Sequence, residues 1–158
     1  MDLRTELEAI CEAFEKKRIR YILIGGMAVA LHGVPRYTED IDFIFFSSNS
    51  ELEKIKKALY RLYQDESIFD LTEKDLDYSV IRYGTPKGYV IDLMFKIGDV
   101  ADYEKLKGYA QEIKIHGVNI KVLSKEGLLF LKKGSLRPQD QQDTSVLEKL
   151  LKEEKSSD

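Results

Sequence analysis

The chain has 158 residues, a net charge of −3 at pH 7 and a hydrophobic fraction of 43%. This length allows a core without disulfide or metal staples, and we interpret residues 1–158 as one domain. The charge gives no overall attraction to nucleic acid, and the single cysteine, Cys11, excludes an intramolecular disulfide. No apolar run reaches the ~18 residues of a membrane span. The charged N-terminus is unlike a secretory signal, so we expect a cytoplasmic protein.

Hydrophobic periodicity predicts helices and strands that alternate before two hairpins and a final pair of helices. The predicted strands are residues 20–24, 40–46, 78–83, 89–95, 112–115 and 119–123. The predicted helices are residues 3–17, 27–32 and 51–64, the last capped by Ser50, and two that begin at Ser124 and Pro138. We expect residues 152–158 to fray. This order indicates an α+β or layered α/β fold, a mixed β-sheet flanked by helices.

Two acids, Asp40 and Asp42, open the second predicted strand, DIDFIFF. Their spacing of two places both carboxylates on one face of the strand. Because the strand is apolar on both faces, we expect it to be buried, and two adjacent ionised carboxylates would repel each other there. A bound divalent metal would relieve this repulsion. A solvated strand edge is the alternative interpretation.

Asp92 lies inside another apolar predicted strand, YVIDLMF, where an unpaired acid is costly. If this strand lies beside the strand of Asp40, it brings a third carboxylate to the same place. Three carboxylates can hold two Mg²⁺ ions about 3.5–4 Å apart, the arrangement used for phosphoryl or nucleotidyl transfer. An edge strand with Asp92 in solvent is the alternative. Asp77 is a second candidate for the third acid, but it precedes its strand.

Gly25 and Gly26 separate the first predicted strand from a short helix. A strand that ends in two glycines and opens a helix exposes backbone N–H groups to an anion. Glycine also lets phosphate oxygens approach the main chain. A Gly–Gly pair alone indicates only a turn, and its position between a buried strand and an Asp-x-Asp strand makes phosphate binding a specific hypothesis.

The stretch GGMAVALHGVPRYTEDIDF, residues 25–43, resembles the signature of the polymerase-β-like nucleotidyltransferase superfamily. It is most similar to small proteins grouped with the AbiEii-type toxins and minimal nucleotidyltransferases. In that signature a glycine turn and short helix precede an Arg, a Ser or Thr, and Asp-x-Asp. The matching residues are Gly25, Gly26, Arg36, Thr38, Asp40 and Asp42, and the family's third carboxylate maps to Asp92. Many members have Gly–Ser at the turn, so here backbone donors alone would contact phosphate.

A second match lies near the C-terminus, in LKKGSLRPQDQQD. The family often has a helix that ends in Lys, an Arg five residues on, and two acids spaced by three. These positions are Lys132, Arg137, Asp140 and Asp143. Simpler interpretations are that Lys132 is an ordinary surface charge and that Arg137 only pairs with Asp140.

The resemblance implies a nucleotidyltransferase fold and a metal-dependent transfer of a nucleoside monophosphate from an NTP, with ATP the expected donor. Asp40 and Asp42 would bind two Mg²⁺ or Mn²⁺ ions, and Asp92 would bind one and accept a proton from the attacking hydroxyl. The expected nucleotide-binding residues are Gly25, Gly26, Arg36, Thr38, Lys132 and Arg137. The acceptor would be a hydroxyl of a protein, an RNA end or a small molecule.

Two other functions fit the same residues. The first is a non-catalytic nucleotide-binding or toxin–antitoxin regulatory module, with a small helical protein as partner. The second is RNA end modification, for which a basic cluster on the helix predicted at 51–64 could contact phosphate. That cluster comprises Lys54, Lys56, Lys57 and Arg61. Solvation of a helix face is its simpler explanation.

Overall fold

The computed structural model describes residues 2–156, which form six α-helices and one six-stranded mixed sheet. The strands are β1 (Tyr21–Ile24), β2 (Asp40–Phe45), β3 (Ile81–Gly84), β4 (Val90–Met94), β5 (Ala110–Ile115) and β6 (Val118–Leu123). The helices are α1 (Leu3–Lys16), α2 (Gly25–Leu31), α3 (Asn49–Tyr63), α4 (Tyr103–Leu106), α5 (Lys125–Lys132) and α6 (Pro138–Ser156). The predicted α+β class is confirmed.

The strand order across the sheet is β3-β4-β2-β1-β6-β5. Both predicted hairpins form, because β3 pairs antiparallel with β4 and β5 pairs antiparallel with β6. β2 pairs antiparallel with β1 and parallel with β4. The acidic strands predicted from sequence are therefore direct neighbours in the middle of the sheet.

An aromatic cluster joins α1 to one face of the sheet. The Phe14 ring lies 5.1 Å from that of Phe43, 5.5 Å from that of Phe45 and 5.3 Å from that of Tyr21, measured between centroids. Edge-on aromatic pairs add to the stabilisation from burying their area. Cys11 on the same helix is fully buried, as its helical spacing predicts, and burial raises the pKa of its thiol to about 12.

The glycine-rich helix α2 follows β1 without a loop and contacts β1, β2 and α5. α5 in turn contacts β6 and α6. Through these contacts, the C-terminal helices pack near the end of β1, where Gly25 and Gly26 lie. Among residues 2–156, no helix combines the length and apolar character needed to cross a bilayer.

Local details differ from the sequence predictions. α3 is capped by Ser48, whose side chain accepts the Glu51 N–H at 3.0 Å, and not by Ser50, which is already helical. The stretch before β3 contains two unpredicted 3₁₀-helices, Glu66–Asp70 and Glu73–Asp77. α6 continues to Ser156, so residues 152–156 are helical where fraying is expected. Residues 157 and 158 of that predicted tail lie outside the described residues.

Candidate functional site

Three charged residues form a row across neighbouring strands. Asp42 of β2 pairs with Asp92 of β4, and Asp92 pairs with Arg82 of β3. Paired residues on adjacent strands project from the same face of a sheet. Asp40 lies two residues before Asp42 and shares that face. The structure thus brings together the three acids predicted from sequence, and it adds Arg82, which the sequence analysis missed.

The two acids of this row, Asp42 and Asp92, lie in surroundings that destabilise two neighbouring negative charges. Asp42 is half-buried and Asp92 is 6% exposed. Burial, a hydrogen bond with Asp92 and the negative charges of Asp92 and Asp40 raise the pKa of Asp42 to about 7. Asp42 therefore keeps its proton at pH values where an isolated carboxylic acid has lost it.

Arg82 supplies the positive charge that this row contains. Its Nε donates to Asp92 Oδ1 at 3.1 Å, and its Nη2 donates to Asp92 Oδ2 at 3.2 Å and to Asp40 Oδ2 at 3.0 Å. A planar guanidinium that holds one carboxylate through two bonds is a strong and oriented contact. A signal for Arg82 is present in the sequence, because the short turn between the two strands sets the register that pairs it with Asp92.

The signature glycines approach the acids and the polar residues before β2. Gly25 has φ +71°, and a Cβ there would overlap Asp42 Oδ2 and lie 2.9 Å from Asp42 Cγ. A Cβ on Gly26 would lie 3.1 Å from Thr38 Oγ1 and 3.2 Å from Arg36 Cζ. Thr38 also donates its hydroxyl to the Asp40 carbonyl at 3.1 Å. A side chain at position 25 would therefore overlap Asp42, and one at position 26 would crowd Thr38 and Arg36.

An ion-pair network extends from Arg36 into the C-terminal helices. Asp143, 1% exposed, accepts from Arg36 Nη1 at 2.6 Å and lies 3.1 Å from Lys132 Nζ. Lys132 also bonds Asp140 at 2.9 Å, and its side chain is 10% exposed. Lys132 is thus held by two acids and is not an ordinary surface charge. Arg137 is 76% exposed, and its Nε lies 3.7 Å from Asp140, which is the simple pairing considered above.

Among residues 2–156, no three His, Cys, Asp or Glu side chains are already arranged as a metal cage. The carboxylate row formed by Asp40, Asp42 and Asp92 nevertheless fits a divalent cation by its chemistry. It contains oxygen ligands, which Mg²⁺ and Mn²⁺ prefer. It also holds a retained proton and a guanidinium, the two positive charges that a cation could replace.

The remaining candidates lie elsewhere or have other partners. Asp77 is exposed at the end of a 3₁₀-helix and is not part of the row. His32 bonds the Leu123 carbonyl through Nε2 at 2.8 Å, a structural contact. Within the basic cluster, Lys56 is 6% exposed and donates to the Leu71 carbonyl at 2.6 Å, and Lys54 pairs with Glu51 at 3.1 Å. The cluster is therefore not a set of four free cations.

The raised pKa of Asp42 predicts how stability depends on pH in a chelator-containing buffer. A carboxyl whose pKa is higher in the folded chain than its usual 3.8 destabilises the fold when it ionises. The unfolding free energy should therefore decrease as pH rises from about 4 to about 7. Asp42→Asn removes this dependence, and above pH 7 it should be more stable than wild type by about 1–3 kcal/mol. Urea unfolding at several pH values measures this difference.

Asp77→Asn is the matched control, since it removes an exposed acid outside the row. If Asp42→Asn and Asp77→Asn follow the same pH profile, the assigned coupling between Asp42 and Asp92 is wrong.

Comparison with known proteins shows the family of this chain. The family model described as "Nucleotidyl transferase AbiEii toxin, Type IV TA system" matches residues 7–132. This span includes the three acids, both glycines and Lys132. A comparison with curated proteins finds no match.

Three solved structures similar to this chain are described as adenylyltransferases or as nucleotidyltransferase-like. The lincosamide antibiotic adenylyltransferase LnuA, lincomycin-bound, is 21% identical with a TM-score of 0.59, over 92% of this chain and 96% of that one. ANT(2'')-Ia in complex with adenylyl-2''-tobramycin is 16% identical with a TM-score of 0.55, over 96% and 90%. An antigenic nucleotidyltransferase-like protein from Paracoccidioides brasiliensis is 21% identical with a TM-score of 0.57, over 92% and 74%. At these identities the likeness shows a shared fold.

Proposed function

Because the chain belongs to the AbiEii family of nucleotidyltransferase toxins, we propose that it transfers a nucleoside monophosphate from an NTP to an acceptor hydroxyl with the help of Mg²⁺ or Mn²⁺. ATP is the expected donor. The observation that carries this proposal is the register of β2 with β4, which pairs Asp42 with Asp92 and leaves Asp40 on the same face. Three acids on one face of neighbouring, largely buried strands repel one another, and a bound cation would relieve that repulsion.

The carboxylates of Asp40, Asp42 and Asp92 would hold the divalent cation. Its charge would polarise the α-phosphate and neutralise the departing pyrophosphate. Asp92 is the proposed acceptor of the proton from the attacking hydroxyl. As the new bond from the acceptor oxygen to the α-phosphorus forms, the bond from that phosphorus to the bridging oxygen of the β-phosphate breaks.

The residues proposed to bind the nucleotide surround the start of α2. Gly25 and Gly26 are the first two residues of α2, so their backbone N–H groups have no acceptor within the helix, and such groups bind phosphate oxygens. Arg36 and Thr38 lie against Gly26. Lys132 reaches the same region through Asp143, which it shares with Arg36. These groups would hold the triphosphate and orient its α-phosphorus. Arg137 would contact the nucleotide at the solvent-exposed edge of this site.

The acceptor class is proposed from chemistry alone. A hydroxyl of a protein, an RNA end or a small molecule would serve as nucleophile, and the basic cluster of α3 gives little support to RNA because Lys56 is already paired. The alternative is a non-catalytic toxin–antitoxin module that binds a nucleotide and a small helical partner. Three clustered acids favour the enzyme, because binding alone does not need them.

A labelling experiment tests the proposed transfer. The purified protein is incubated with each of the four α-labelled NTPs, Mg²⁺ or Mn²⁺, and a cell lysate from the source organism. The expected result is a labelled acceptor with the protein and none after chelation of the metal. Separate protease and ribonuclease treatment of the product then identifies the acceptor class. Unlabelled lysate in the presence of all four nucleotides and both metals would favour the non-catalytic module.

Lys132→Ala is expected to raise the NTP KM or lower kcat by about tenfold or more, equivalent to roughly 1.4 kcal/mol. The reason is that Lys132 is a cation held near Arg36 by Asp140 and Asp143, and a held cation stabilises charge on transferring phosphates. Steady-state kinetics below the melting temperature of the variant provide the measurement.

Lys133→Ala is the matched control, since Lys133 is exposed at the end of the same helix. Equal losses in the two variants, or no loss in Lys132→Ala, would remove Lys132 from the nucleotide site.

A further inference from the structure

We propose that Arg82 is a built-in counter-ion that occupies the carboxylate row in the metal-free protein and is displaced when a divalent cation binds. This inference rests on the proposed metal site and adds a competition within it. Arg82 would thereby set how tightly the protein takes up free metal.

The contacts of Arg82 are those of a cation held in place by the acids. One guanidinium spans Asp92 and Asp40 through three hydrogen bonds of 3.0–3.2 Å. It uses both oxygens of Asp92 and one of Asp40. These are oxygens that a divalent ion would also need, so the guanidinium and the ion cannot use them at the same time.

The position of Arg82 in the fold allows it to leave. β3 is an edge strand, with β4 on one side and no strand on the other in the described sheet. The Arg82 side chain is 64% exposed, whereas that of Asp92 is 9% exposed. A long side chain at an exposed edge can rotate into solvent without unfolding its strand. In contrast, Asp40 and Asp92 are held in place because β2 and β4 are interior strands of the sheet.

Competition of this kind has a measurable cost in metal affinity. When the binding-competent state is only a fraction of the population, the apparent affinity is reduced by that fraction. If the guanidinium occupies the row in about nine molecules of ten, its removal should tighten metal binding about tenfold. The effect concerns equilibrium binding, so it is independent of any acceptor or turnover.

Mn²⁺ binding to wild type and to Arg82→Met, measured by calorimetry without nucleotide, tests the proposal. The expected result is a Kd for Mn²⁺ about tenfold lower in Arg82→Met. Arg82→Lys should lie between the two, because a lysine keeps the charge but cannot form the planar two-bond contact. It also preserves the test if the methionine variant folds poorly. Lys96→Met is the matched control, since it removes an exposed positive charge just beyond β4 and should leave the Kd unchanged.

A second measurement follows the side chain directly. In wild type the Arg82 Nε–H signal in an NMR spectrum should show the slow solvent exchange of a hydrogen-bonded group. Addition of Mg²⁺ should move this signal to that of a free arginine, with a midpoint equal to the Kd that calorimetry gives for Mg²⁺.

The outcomes separate this inference from the proposed function. Equal Mn²⁺ affinity in wild type, Arg82→Lys and Arg82→Met overturns the competition while the metal site stands. A Mg²⁺ titration that saturates without change in the Arg82 signal has the same meaning. No binding of Mn²⁺ by any of these proteins overturns both the competition and the metal-dependent function.

Discussion

Replacing Asp42 by asparagine is expected to lower nucleotidyl transfer by ~10³-fold or more while the protein remains folded. Asp42 is paired with Asp92 on the neighbouring strand and lies against Gly25. An amide in its place keeps the shape but removes the charge and the second oxygen ligand. Single-turnover rates with labelled NTP at saturating metal measure this loss.

The expected stability of the same variant moves in the opposite direction. Because the pKa of Asp42 is raised by burial and by the neighbouring acids, its ionised form destabilises the metal-free fold near neutral pH. Asp42→Asn should therefore be less active and more stable, which general damage to the fold cannot produce. Asp77→Asn should change neither property. Retention of full activity by Asp42→Asn would exclude Asp42 as a metal ligand.

Gly25→Ala is expected to have the second largest effect. Its φ of +71° costs a non-glycine residue about 1–2 kcal/mol. The added Cβ would also overlap the Asp42 carboxylate, and such overpacking costs roughly a further 1–3 kcal/mol. Any shift of Asp42 that relieves the overlap misplaces a proposed metal ligand, and a displacement of ~1 Å can lower a rate ~10²-fold. Chemical unfolding and transfer kinetics measure the two effects.

Gly117→Ala separates these causes. Gly117 has φ +81° in the β5–β6 turn, and a Cβ there would meet nothing within 4 Å. It should show the backbone cost of about 1–2 kcal/mol without loss of activity. If Gly25→Ala keeps wild-type transfer, the start of α2 does not position Asp42 for the reaction.

The parts of the site that were predictable from sequence are those that local patterns determine. Asp92 stands out because an acid inside YVIDLMF conflicts with burial, and Asp40 and Asp42 share a face because strands have a period of two. The pairing of Asp42 with Asp92 in register is not local. It follows from how β2 and β4 align in the sheet, and the sequence analysis could only state it as a condition.

Arg82 is the charged residue of the row that was not identified from the sequence. It lies in the strand predicted at residues 78–83, and nothing in its immediate neighbours distinguishes it from an ordinary charge on an edge strand. The hairpin turn places it beside Asp92, and the pairing of β2 with β4 then brings Asp40 within its reach. The burial of Lys56 is similar, since its partner, the Leu71 carbonyl, lies in a 65–77 segment that has little periodicity. The single domain over residues 1–158 stays a prediction.

Helix boundaries failed for a different reason. Ser48 and Ser50 are both good capping residues, and the choice between them depends on Glu51. In the structure the Glu51 side chain is 1% exposed, and its carboxylate accepts a hydrogen bond from the backbone N–H of Arg20 at 2.9 Å. That contact with the entry to β1 places Glu51 in the first turn, with Ser48 before it. A tertiary contact thus decides between two caps of equal local merit.

The central claim is that Asp40, Asp42 and Asp92 hold the metal that serves a nucleotide bound at Gly25–Gly26. Crystals grown with Mn²⁺ and the non-transferable analogue α,β-methylene ATP test it most directly, because manganese is located by its anomalous scattering. The account predicts manganese bonded to these carboxylates, Arg82 turned away from Asp92, and phosphates against Gly25 and Gly26. Manganese remote from the three acids, or phosphates bound away from Gly25 and Gly26, would contradict it.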